Sequence, residues 1–150
     1  VLSVLKDRFA YIFDEVDKYP GAPSVGLNVV GLNPFQLKNI EVIPIEVMHG
    51  KLPILGYRFQ DFAYLTDVKT IDLSEKEKLK GLKVLVISAL TNEKHHSHLN
   101  LVEALAIIEE LQPEKAYLTH ISHKLGFHAE VEKKLPKNVY LGYDELTIEF

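Results

Sequence analysis

The sequence predicts an α/β (α+β) fold, a sheet covered by helices, on three observations. Short runs rich in branched and aromatic residues alternate with segments of helical period. One run, Lys83–Ala89, is almost continuously apolar, as a strand buried on both faces is. No repeat, low-complexity stretch or long linker divides the 150 residues. A chain of this length buries roughly 68–70% of its unfolded surface, so a single domain over 1–150 is expected.

Leu5 to Lys18 reads as an amphipathic helix, with Leu5, Phe9, Ile12, Phe13 and Val16 at helical spacing. Tyr19-Pro20-Gly21-Ala22-Pro23 ends it. Val25–Val30, Ile40–Val47, Ile54–Gln60 and Ala63–Thr66 read as strands, with Gln60-Asp61 a hairpin turn between the last two. Asn28, Asn33 and Asn39 read as turn residues. Ser74 is expected to cap a short helix over Glu75–Leu79. Lys83–Ala89 is a strand, and Leu99–Leu111 is the strongest helix, its stripe formed by Leu101, Ala104, Leu105, Ile108 and Leu111. Gln112-Pro113 closes it. Lys115–Thr119 is a strand, Phe127–Leu135 a helix, and Val139–Phe150 holds two short strands.

Composition narrows the function classes. Seventeen basic against 21 acidic side chains leave a net charge of −4, with no basic surplus to engage a phosphate backbone, so nucleic acid is not the expected partner. The apolar runs are too short to span a bilayer, so no membrane partner is expected. Without cysteine there is no disulfide framework, thiolate zinc site or cysteine nucleophile. A reducing, cytoplasmic setting is the expectation.

The histidines carry the functional signal because of where they fall. His49 closes the strand that ends Glu46-Val47. Asp67 follows Ala63–Thr66, His98 lies beyond Lys83–Ala89, and His120 follows Lys115–Thr119. Four strands thus each deliver a metal-competent or acid/base group at a C-terminal end, the edge where α/β sheets bind ligands. Imidazole with carboxylate suits zinc, iron or manganese. Taken singly, each has a plainer reading: a loop histidine, an aspartate opening a turn, or a solvated Glu93–His98 loop with Ser97 as helix N-cap. His95, His96 and His128 read as surface histidines. Tyr57 and Tyr64 read as hairpin packing, and Arg58 as a surface pair.

Four strings occur in order: Pro44-Ile45-Glu46-Val47-Met48-His49-Gly50; Gly56-Tyr57-Arg58-Phe59 with Ala63-Tyr64-Leu65-Thr66-Asp67; Ser97-His98-Leu99-Asn100; and Leu118-Thr119-His120-Ile121-Ser122-His123. Together they resemble the metallo-β-lactamase-fold hydrolases, in particular the branch holding the cyclic phosphodiesterase of the carbon–phosphorus lyase pathway. The resemblance implies the C-terminal half of an αββα sandwich and a dinuclear site. It implies His49 as a ligand of the first metal, Asp67 as the bridge and His120 as a ligand of the second. His98 would protonate the leaving oxygen or hold the phosphate, and His123 would contact substrate. Zinc is the first expectation, manganese or iron the others, with two ions in the complete protein acting on a small phosphate ester or cyclic phosphate.

One departure is large. The family signature His-x-His-x-Asp-His is absent, and no histidine precedes His49. The expectation is therefore a C-terminal portion of a protein of roughly 250 residues. Alone, it would bind metal weakly, turn over little, and self-associate or pair with the N-terminal half to cover an exposed sheet face. The other readings are a nuclease of the same fold, a non-catalytic binding module that keeps the scaffold, and a metal-free fold whose histidines cap strands.

Overall fold

A computed structural model describes residues 2–14 and 19–150. They divide into two compact units, Val1–Gly31 and Leu32–Phe150. In the first, α1 spans Leu2–Arg8 and α2 spans Ala10–Phe13. The expected helix over Leu5–Lys18 is thus interrupted at Phe9, whose backbone (φ −119°, ψ 39°) leaves the helical region. Its last four residues, with Val16, lie outside the described residues. Val25–Val30 forms no strand: it finds no ladder partner, and Val29 is 83% exposed. A β-branched run has only a local preference until a neighbouring strand supplies hydrogen bonds and packing.

The second unit is built on one seven-stranded sheet in sequential order: β1 Phe35–Leu37, β2 Ile40–His49, β3 Leu52–Phe59, β4 Phe62–Leu65, β5 Val84–Ser88, β6 Lys115–Thr119 and β7 Val139–Leu141. The first four pair antiparallel; β4 through β7 pair in parallel. Two-residue turns set the hairpin registers, at Lys38-Asn39, Gly50-Lys51 and Gln60-Asp61. Lys38, Gly50 and Gln60 supply the positive φ such turns require. The strand β1, unread in the sequence, is three residues long and follows Asn33-Pro34.

The helices differ from expectation at their ends. The helix α3 spans Leu73–Glu77 with Asp72 at its N-cap, so Ser74 lies inside it. The helix α4 spans Leu101–Leu111 and starts from Asn100, not Ser97: Asn100 and Glu103 form a reciprocal capping box that satisfies two otherwise orphaned N–H groups. A 3-10 turn covers His123–Leu125, and α5 is confined to His128–Glu132. The tail beyond β7 forms no second strand; its final residue, Phe150, stacks on Phe62 with ring centroids 4.9 Å apart.

Register assigns the two faces of the sheet. Ile45, Leu65, Ile87, Leu118 and Leu141 face one way and join Leu79, Ala104, Ile108, Leu111 and Val131 in a single core, so the helices cover that face. Pro44, Tyr57, Tyr64, Val86, Tyr117 and Tyr140 align across the opposite face. Within the core row only Gly56 fits opposite Leu65, because a Cβ there would collide with the Leu65 side chain. Among the described residues, no helix is long and apolar enough to cross a membrane.

Candidate metal centre

Strand direction explains why the site residues meet. Two antiparallel steps, β2 to β3 and β3 to β4, return the chain to its starting direction, and β5 and β6 keep it. The C-terminal ends of β2, β4, β5 and β6 therefore share one sheet edge. His49 is the last residue of β2. Asp67 and His120 stand just past β4 and β6, each in the left-handed region (φ 57° and 56°). For a non-glycine residue that conformation costs about 1–2 kcal/mol, with aspartate among the better tolerated. The surrounding structure must hold it.

A backbone lattice does so, by joining the chain neighbours of each site residue. Met48, beside His49, accepts from the Lys69 N–H at 2.7 Å and exchanges hydrogen bonds with Thr70. The Leu99 N–H, beside His98, donates to Val68 O at 2.7 Å, and the Val68 N–H donates to Ser88 Oγ at 3.1 Å. The Leu90 N–H donates to Leu99 O, while Leu90 O accepts from Ser122, two residues past His120. Five stretches of chain, at Met48, Val68–Thr70, Ser88–Leu90, Leu99 and Ser122, are thereby tied at one place.

The side chains converge accordingly. His49 Nε2 lies 3.2 Å from His98 Nε2, so one imidazole donates to the other. His98 Nδ1 is 3.9 Å from Asp67 Oδ1, and His120 Nε2 is 3.4 Å from the same oxygen. The His98 ring is central, with centroids 4.6 Å from His49 and 4.8 Å from His120. Thr66 Oγ1 donates to Asp67 Oδ2 at 3.1 Å, which steadies the carboxylate. Burial first, then the neighbouring His120, His49 and His95 rings, holds the His98 pKa below the ordinary histidine value, with Asp67 opposing. A neutral imidazole retains a lone pair for a cation.

The residues fit a divalent ion. His98 Nδ1 is buried without a hydrogen-bond partner, and 3.9 Å to the carboxylate is too long for a direct bond. Ligands held at about 2.0–2.2 Å from one ion stand at such separations from each other. His49, Asp67 and His98 can each offer an atom within 4.8 Å of the others. That trio has His98 where the sequence reading had His120 beside His49 and Asp67; His120 joins through the shared Asp67 oxygen.

His123, exposed on its 3-10 turn, is not brought into the cluster. His95, read as a surface residue, is half-buried, with its ring 5.0 Å from that of His98 and Nδ1 within 3.3 Å of Ser97 Oγ. Arg58 is structural: Nη1 donates to Lys78 O and Lys80 O and Nε to Gln60 O, pinning the end of α3 to the hairpin. The supporting residues Ser88, Lys69 and Glu103 escaped the sequence reading, although Asn100-x-x-Glu103 is a legible capping box.

Residues 1–121 match the family described as the beta-lactamase superfamily domain. A diphosphatase of the PhnP family, known from a crystal structure, is 37% identical with a TM-score of 0.88, over 99% of this chain and 55% of its own. The metallo-beta-lactamase fold protein YhfI from Bacillus subtilis shares the fold at 16% identity and a TM-score of 0.66, over 91% of this chain and 58% of that one. A protein named octanoyltransferase from Porphyromonas gingivalis (strain ATCC BAA-308 / W83) is 38% identical over 148 residues, 97% of this chain and 30% of that protein. The chain thus spans about half of the diphosphatase and less than a third of the octanoyltransferase. With the sheet order, the strand-end histidines and the matched family in agreement, the chain belongs to the beta-lactamase superfamily.

Proposed function

We propose that these 150 residues form part of a metal-dependent hydrolase of a small phosphate ester, cyclic phosphate or diphosphate. The observation that carries this reading is the convergence of His49, Asp67, His98 and His120 at one sheet edge, with a buried His98 nitrogen left unpaired. The 37% identical diphosphatase supports the phosphate chemistry. The octanoyltransferase name weighs less, because this chain covers only 30% of that protein.

His49 and Asp67 would hold one cation, and Asp67 with His120 a second, zinc, manganese or iron suiting the donor set. Divalent ions there would polarise the phosphoryl group and lower the pKa of water. Asp67 would serve as the shared anionic ligand, and the Thr66 hydroxyl fixes its other oxygen. His98, between the two other rings, is placed to hold or protonate the departing oxygen. The net charge of −4 favours a small substrate over a long polynucleotide.

One imidazole per ion plus a shared carboxylate is fewer than the three protein ligands a catalytic zinc normally has. Alone, the 150 residues would bind metal weakly and turn over little. The test assays the longest natural reading frame carrying these residues, with Zn²⁺ or Mn²⁺, on inorganic diphosphate, a cyclic phosphate and an octanoyl thioester. The expected result is metal-dependent phosphate hydrolysis abolished by Asp67→Asn. Turnover of the thioester alone, or hydrolysis indifferent to Asp67→Asn, would overturn the reading.

A further inference from the structure

Beyond the four converging groups, one ion pair stands out by what it joins. Lys69 Nζ lies 2.9 Å from both Glu103 carboxylate oxygens and 3.3 Å from His98 O. Lys69 follows Asp67 by two residues; Glu103 is in the first turn of α4, which begins just after His98. We propose that Lys69 and Glu103 are positioning residues, a clamp that holds the Asp67 segment against the His98 segment and so sets the spacing of carboxylate and imidazole. This rests on reading the cluster as a metal site.

Several features separate a clamp from a casual surface pair. Its members are only 21% and 31% exposed, and they are 34 residues apart, so the contact ties two segments instead of decorating one helix. Lys69 makes three contacts at once, reaching a carboxylate with both oxygens engaged and the backbone carbonyl of a site residue. Glu103 is itself immobilised: Oε2 accepts from the Asn100 N–H at 3.0 Å, and its own N–H donates to Asn100 Oδ1 at 2.9 Å. Asn100 is 5% exposed, and its side-chain amide reaches Asn92 O on the preceding loop. The Leu99 N–H to Val68 O bond runs alongside the ion pair and closes the same gap. A lysine near a cation site would by charge alone weaken cation binding, so its placement here calls for a benefit in geometry.

The test uses the 150-residue chain and two readouts. The first, free of metal, follows the His98 ring nitrogens by ¹H–¹⁵N correlation spectroscopy; the second titrates Co²⁺ as a visible stand-in for the divalent ion. Lys69→Met keeps the aliphatic stem and removes the clamp. Glu103→Gln keeps the capping box, since glutamine serves at that position, and removes the ion pair. Both are expected to shift or broaden the His98 ring signals and to weaken Co²⁺ binding about 10-fold, the lower end for groups that orient ligands. The double variant should be no worse than either single one, and Lys69→Arg should restore most of the affinity. Charge alone predicts the opposite for Lys69→Met, tighter binding of a cation. Unchanged His98 signals, or Co²⁺ affinity within twofold of the parent or tighter, would overturn the clamp. If the parent binds no Co²⁺ while Lys69→Met still moves the His98 signals, the metal reading fails and the clamp stands.

Discussion

Replacing Ser88 by alanine tests how the Asp67 turn is held. Ser88 is fully buried at the end of β5, and its Oγ accepts from the Val68 N–H at 3.1 Å, with Val68 also fully buried. Removing the hydroxyl leaves that N–H with neither protein nor bulk water, a cost of about 1–3 kcal/mol. It also releases the residue that follows Asp67, whose φ of 57° needs outside support. For a loss of about 2 kcal/mol, the thermal midpoint of a chain this size falls by about 4–8 °C, and the urea midpoint by about 1 M. Thr91→Val is the matched contrast, because Thr91 Oγ1 is buried with no partner. It should be neutral or stabilising by up to about 1 kcal/mol, since an unpaired buried hydroxyl is replaced by a methyl group. Urea unfolding of both variants decides the matter: a Ser88→Ala loss below about 0.5 kcal/mol, the scatter of surface substitutions, would refute the reasoning.

Gly56→Ala should destabilise the sheet by about 1–3 kcal/mol, the cost of forcing extra volume into a packed core, because the new methyl group meets the fully buried Leu65; thermal melts measure it. Burial, the largest influence, would raise the Glu103 carboxyl, but the Asn100 N–H and Lys69 together hold it below the ordinary value. A lowered carboxylate contributes stability that is complete above the unfolded pKa and lost as pH falls through the native one. The stability gap between parent and Glu103→Gln should therefore be flat above about pH 5 and close in acid. The aromatic face of the sheet leaves Tyr64 41% exposed, and covering it by self-association is expected; light scattering of a Tyr64→Glu variant should show a smaller species than the parent.

Much of the fold was legible because strand runs and turn residues agreed locally. The strands β2 to β6 and the Gln60-Asp61 turn lie where period and turn chemistry place them. The expectations that failed were those that depend on a distant partner. Val25–Val30 has strand composition but no neighbour, whereas Phe35–Leu37 has little signal of its own and pairs because β2 offers an edge. Ser97 and Asn100 are both good caps in isolation; Asn100 won because Glu103 stands three residues on and is fixed by Lys69 from another segment. For the site, His49, Asp67, His98 and His120 could be picked out by their strand-end positions. What sequence spacing could not show is that His98 lies between the other two rings, that His123 sits on an exposed 3-10 turn, or that His95 packs on His98. Those facts depend on loop paths set by Ser88, Leu90 and Leu99, whose bonds cross between segments.

The most direct test of the central claim is an anomalous-scattering map from a crystal of the chain soaked in Zn²⁺ or Mn²⁺. A peak about 2.0–2.2 Å from Asp67 and from His49, His98 or His120 is the predicted result. A map with no peak at this cluster, or with its strongest peak at unrelated surface groups, would contradict it.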